Sequence, residues 1–166
     1  MTQFISRILV PVDFSAHSDR ALRYAASLAR RLGASLELLH VVEDPFMAGA
    51  WSSEVYVPNV TELLDSMIAD ARRRLSDLKD VVAPEGVPIS TVVLKGRPAP
   101  AILEHAKGGH FDLVVMGTHG RTGLAHLFMG SVAEAVVRRA PCPVLTLRPE
   151  LPATEQTAST SAQTVA

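Results

Sequence analysis

Ile8-Leu9-Val10-Pro11-Val12-Asp13-Phe14-Ser15 is the stretch from which the rest of the chain is read. Its first five residues are apolar and rich in β-branched side chains. Such a short run fits a strand buried on both faces. Asp13 ends the run. Ser15 is a residue type that caps a helix by accepting from the N–H groups its first turn leaves without partners. Beyond it, Ala21, Leu22, Ala25, Leu28, Ala29 and Leu32 recur at helical spacing. Gly33 stands where a left-handed stop is needed. Residues 35–42 are again apolar and strand-like. The opening is therefore a strand–helix–strand unit, which calls for parallel pairing.

The pattern continues outward. Residues 43–58 carry Phe46, Trp51, Pro45, Pro58 and Gly49 with no steady period, and read as a long loop. Asn59 with Glu62 has the form of a capping box. The helix behind it shows Leu63, Leu64, Met67, Ile68, Ala71, Leu75 and Leu78 on one face. Arg72, Arg73 and Arg74 fall on the other, as a solvated basic face. After Gly86 an alternating run through Val87, Ile89, Thr91 and Val93 predicts a third strand. Pro98 and Pro100 open a short helix that ends at Gly108-Gly109. Residues 111–116 form a fourth strand and residues 117–130 a glycine-punctuated loop. A helix over 131–140 follows, with Ser131 and Glu134 as a second capping box. The fifth strand lies between Pro143 and Leu147. The fold class is α/β: one domain over 1–148, a five-stranded parallel sheet with helices on both faces. The Thr-, Ser-, Ala- and Gln-rich tail over 149–166 reads as disordered.

Composition narrows the function. The chain has 166 residues and a formal net charge of −1. Such a balance does not recruit nucleic acid or an anionic membrane. No apolar run is long enough to span a bilayer and no leader is visible, so a cytoplasmic location is expected. A single cysteine, Cys142, excludes an internal disulfide and reads as packing beside an edge strand. The histidines, including His40, His105, His110 and His17, show no metal-ligand spacing.

Two strand ends carry unusual residues. The fourth strand leads into Gly117-Thr-His-Gly120-Arg-Thr-Gly123 and, later, Gly130-Ser131. Glycines allow backbone N–H groups to approach an anion without a Cβ between them. The helix start at Ser131 favours phosphate through its free N–H groups and dipole. Asp13 admits two uses from the residues alone. It can cap the turn that follows it, or it can accept hydrogen bonds from sugar hydroxyls. Together the two strand ends suggest a nucleotide.

The spacing Gly117-x2-Gly120-x9-Gly130-Ser131 resembles the signature of ATP-binding universal stress proteins. So do Val10-Pro-Val-Asp-Phe-Ser15, Leu38-Leu-His-Val41, the Gly96-x-Pro98 turn and Ala140-Pro-Cys-Pro-Val-Leu145, in that order. The resemblance covers residues 4–148. It implies a Rossmann-like sheet of order 3-2-1-4-5 and ATP as ligand. By this resemblance Asp13 holds the ribose, and Val41 meets the adenine beside Pro11 and Val12. Met116 and Gly117 lie under the nucleotide, and Gly120, Gly130, Ser131 and Val132 contact the phosphates. It also implies a homodimer formed through the fifth strand. Magnesium fits a triphosphate ligand, although no ligand set for it is readable.

Three readings follow: a regulatory ATP-binding dimer in stress response, a slow ATP hydrolase, and an interaction protein with an unused pocket. No G-x4-G-K-[S/T] loop and no G-x-S-x-G elbow is present, which disfavours a dedicated enzyme. The intact glycines disfavour an unused pocket. His119 and Arg121 are candidates to face a phosphate from the loop.

Overall fold

The computed structural model describes residues 5–43, 60–83, 86–118 and 129–148. The chain runs β1 (Arg7–Pro11), α1 (Ala16–Leu32), β2 (Ser35–Val42), α2 (Val60–Val82), β3 (Ile89–Lys95), α3 (Pro98–Gly108), β4 (Leu113–Gly117), α4 (Ser131–Arg139) and β5 (Val144–Leu147). All five strands are parallel, in the order β3-β2-β1-β4-β5. The expected architecture and order are thus observed.

Strand alternation divides the interior in two, because successive side chains leave a strand on opposite faces. Ile8 and Val10 of β1 join Leu113 and Val115 of β4 under α1 and α2. Leu9, Val114 and Met116 face the other way, against Ile102 and Ala106 of α3 and Ala133 and Val136 of α4. The α1 side is built from alanines at 21, 25, 26 and 29, all fully buried. Small side chains let that helix lie close over the central strands. Both ends of α1 follow the sequence expectation. Ser15 accepts from the Ser18 N–H at 3.2 Å, and Gly33 stops the helix at φ 67°.

Several boundaries and contacts differ from expectation. Strand β1 ends at Pro11, one residue early, although the Val12 N–H still donates to the Leu39 carbonyl at 2.8 Å. Strand β4 starts at Leu113 and takes in Gly117, so that glycine belongs to the sheet rather than to the loop. The residue that caps α4 is Gly130, not Ser131. No side chain caps this helix, and Glu134 instead pairs with Arg138 at 3.1 Å. On α2, Ala71, Leu75 and Val82 are buried, whereas Leu63 is 36% exposed. The early turns of α2 border a cavity instead of the sheet core, as the site geometry shows. Asn59, the loop 44–58 and the tail from 149 lie outside the described residues. Among the described residues, no helix is long and apolar enough to cross a membrane.

Candidate functional site

The winding of the sheet reverses between β1 and β4, which lie side by side. A crevice beyond the carboxyl ends of the strands is expected at such a point. A cavity of about 650 Å³ opens there. Its floor is Pro11, Val12 and Asp13 from the end of β1, Val41 from β2, and Met116 and Gly117 from β4. One wall is the start of α4, with Gly130, Ser131 and Val132; the opposite wall is α2, with Met67, Asp70 and Arg74. The candidate residues read from the sequence therefore share one cavity, except Gly120, which lies outside the described residues together with His119 and Arg121.

Asp13 caps the turn that follows it and also lines the cavity. Its Oδ1 accepts from the Ser15 N–H at 3.0 Å and from the Ser15 hydroxyl at 2.6 Å, and the same side chain lines the cavity. The turn thus fixes the carboxylate at the cavity's edge. Phe14, between these two residues, adopts φ 63°, a left-handed conformation uncommon for a bulky residue. Its ring lies 4.3 Å from that of His40 and 4.0 Å from the Arg74 guanidinium, centroid to centroid and Cζ to centroid.

On the other side the chain leaves the sheet at Thr118 and returns at Gly130. The Gly130 N–H donates to the Thr118 carbonyl at 2.7 Å, and the Thr118 N–H donates to Leu147 at 2.9 Å. The Gly130 N–H is therefore already engaged, so the donors with no intrahelical acceptor are those of the first helical residues, Ser131, Val132 and Ala133. What Gly130 offers a ligand is the absence of a side chain. Gly117 lines the cavity and also sits close against α1. A Cβ there would stand 3.2 Å from the backbone and Cβ of His17 in the first turn of α1.

Among the lining residues that escaped the sequence reading are His40, Arg74 and Thr118. His40 appeared as one of several scattered histidines, yet it is buried at 7% exposure and its ring Nδ1 lies 2.8 Å from the Val12 carbonyl. A polar residue inside an apolar strand, next to the candidate Val41, was the available signal. Arg74 was placed on a solvated face. Arg72, Arg73 and Arg74 are all exposed as expected, and Arg74 in addition lies over the Phe14 ring and lines the cavity. Thr118, only 2% exposed, looked like an ordinary loop residue. Cys142 is half-buried against the α3–α4 side of the core. Burial, and then the negative charge of Asp112, push its thiol above the ordinary value of 9.0, as suits a packing residue.

The charge of the described cavity lining is uneven. Three carboxylates, Asp13, Glu43 and Asp70, and the Arg74 guanidinium come from the β1, β2 and α2 side. The α4 side offers backbone donors and the positive end of a helix. Among the described residues, no cluster of metal-ligating side chains occurs.

Comparison with known proteins gives concordant findings. The model of the universal stress protein family matches residues 5–148. A universal stress protein of Methanocaldococcus jannaschii, MJ0531, is 35% identical over 86% of this chain and 81% of its own length. The solved structure of the universal stress protein UspA from Lactobacillus plantarum superposes with a TM-score of 0.75 at 31% identity, over 89% of this chain and all of that one. The universal stress protein from Archaeoglobus fulgidus in complex with dAMP has a TM-score of 0.61 at 24% identity, over 87% of this chain and 98% of that one. At that identity the likeness is one of fold.

Proposed function

Since the chain belongs to the universal stress protein family, we propose that it binds ATP in the cavity between β1 and β4. On this reading it acts as a regulatory homodimer in the cytoplasmic stress response. The observation that carries the reading is the meeting of Asp13 and the start of α4 across one cavity at the reversal of the sheet. A carboxylate suits ribose hydroxyls. A helix start with free N–H groups suits phosphates. A volume of about 650 Å³ suits a ligand of nucleotide size. That this fold holds dAMP in the Archaeoglobus fulgidus protein agrees with an adenine nucleotide as ligand.

The charge distribution orients the nucleotide. Three carboxylates against one guanidinium, that of Arg74, leave the β1, β2 and α2 side net negative, which disfavours a triphosphate there and suits base and sugar. The phosphates lie toward Ser131 and Val132, where helix dipole and N–H groups favour them. Adenine then rests beside Val41, Pro11 and Val12, with Met116 and Gly117 beneath. Magnesium would travel with the phosphates, which supply its oxygen ligands. Strand β5 is last in the sheet order and half-buried along its length. Pairing of two such edges is the proposed dimer contact.

The test is nucleotide content followed by titration. The purified protein is denatured and the released small molecules identified by chromatography. Stripped protein is then titrated calorimetrically with ATP and magnesium. Adenine nucleotide in the extract, or saturable ATP binding, is expected. A folded sample that yields neither would overturn the reading.

A further inference from the structure

We infer that His40 is a positioning residue for the ribose-binding carboxylate of Asp13; the inference rests on the nucleotide reading above. Val12 lies just past the last residue of β1, where ladder hydrogen bonds no longer fix the backbone by themselves. It is nevertheless held on both sides. Its N–H donates to the Leu39 carbonyl at 2.8 Å, and its carbonyl lies 2.8 Å from His40 Nδ1. A carbonyl only accepts, so the proton of this bond sits on Nδ1 and the ring is the donor.

The same ring supports the next part of the turn. Phe14 stays at φ 63° although an aromatic residue gains nothing intrinsic from that conformation. Such a conformation persists only where the surroundings over-determine it. Here the surroundings include the core it packs against, the His40 ring at 4.3 Å and the Arg74 guanidinium at 4.0 Å from its centroid. Asp13 lies between the two points that His40 holds, the Val12 carbonyl and the Phe14 ring. Its far end is tied by Ser15. Removing the His40 ring therefore frees the backbone on both flanks of Asp13 while leaving the α4 side of the cavity untouched.

A residue that merely shaped the pocket would affect every nucleotide equally. A residue that aims Asp13 affects only ligands whose sugar hydroxyls Asp13 recognises. The experiment compares ATP with 2′,3′-dideoxy-ATP by calorimetry, in wild-type protein and in His40→Leu, His40→Gln and His40→Asn. Wild type is expected to prefer ATP by about ten-fold or more, the usual worth of a hydrogen bond to a charged group. His40→Leu loses most of that preference, with dideoxy-ATP affinity changed by less than about two-fold on the same scale. Asn places an amide donor near the position of Nδ1 and restores the preference. Gln places it near Nε2 and does not, and it also reads the effect should the Leu variant fail to fold. In an Asp13→Ala background, loss of the His40 ring has no further effect on ATP, because coupled residues are not additive. Equal weakening of ATP and dideoxy-ATP, or full rescue by Gln, overturns the positioning role alone. Absence of ATP binding by the wild type overturns it together with the nucleotide reading.

Discussion

Replacing Asp13 separates two uses of one carboxylate. Its Oδ1 accepts both the Ser15 N–H and the Ser15 hydroxyl, and Ser15 in turn caps α1 through Ser18. Asp13→Ala removes both bonds from a part-buried turn. Cap and hydrogen-bond series put that loss at about 1–2 kcal/mol. For a domain of this size the melting temperature falls by about 2–8 °C. The ribose contact is a separate quantity. Hydrogen bonds to a charged acceptor contribute about 1.5–3 kcal/mol, so ATP affinity falls by about 10- to 150-fold. Asp13→Asn divides the two effects. Its amide oxygen still accepts from Ser15, so stability stays closer to wild type. The charge that strengthens the sugar contact is gone, and charge-assisted bonds are roughly twice as strong as neutral ones. Asn therefore weakens ATP by about 3- to 10-fold, half of the Ala effect on a free-energy scale. Thermal unfolding and calorimetric titration of the three proteins measure both quantities. Should Asp13→Ala lower the melting temperature while ATP binds with unchanged Kd, the carboxylate serves the turn alone and the ribose assignment is refuted.

Gly130→Val tests the phosphate side. Gly130 has φ −72° and ψ 154°, a conformation open to any residue, so the backbone tolerates the change at a cost of about 1 kcal/mol for a poorer cap. Branched carbons at the phosphate approach are expected to weaken ATP at least about 100-fold in equilibrium dialysis; an unaltered Kd would place the phosphates elsewhere. Ser131→Ala should shift stability by no more than about 0.5 kcal/mol, because the exposed serine caps nothing, and should weaken ATP by about 3- to 10-fold. A stability loss well beyond that in denaturant titration would return Ser131 to the role of a cap. Asp112 joins the starts of β1 and β4: its Oδ2 accepts from the Ser6 N–H at 2.9 Å, the Ser6 hydroxyl at 2.8 Å and the Arg7 N–H at 3.0 Å. The Ser6 backbone bond, then the Ser6 hydroxyl and the Arg7 N–H, lower its carboxyl below 3.8. A lowered native value gives stability that is full above 3.8 and is lost as pH falls through that lowered value. Asp112→Ala should therefore melt below wild type at neutral pH, with the gap closing in acid; a gap constant down to about pH 2 would refute the linkage.

The fold was legible because its signals are local and repeated. Apolar strands alternate with periodic helices, and Ser15 and Gly33 mark the ends of α1 by chemistry that depends on few neighbours. The strand order 3-2-1-4-5 came from resemblance, since pairing is a long-range property that no strand's own residues encode. The site was legible where glycine spacing and a strand-end carboxylate stand out. It was illegible where the lining of the cavity depends on which way a helix face turns. Arg72, Arg73 and Arg74 are chemically alike in sequence, and only the packing of α2 against Phe14 singles out Arg74. Glu134 three residues after Ser131 has the form of a capping box, but the tight return of Gly130 onto Thr118 shifts the cap by one residue.

That return also shows that the signature glycines do not share one reason. Gly130 presents an open backbone at the cavity wall, whereas Gly117 makes room for another part of the protein. Its missing Cβ lets the first turn of α1 approach the end of β4, with His17 at 3.2 Å from where a side chain would begin. The first turn of α1 is continuous with the Asp13–Ser15 corner through the Ser15 cap. A side chain at 117 would press on His17, and through it on the turn that holds Asp13. The close approach of α1 to the end of β4 thus depends in part on the small size of Gly117, which also lines the cavity. The two strand ends that line the cavity are joined because α1 and the β4 end pack directly on each other, and the glycine at 117 records that packing.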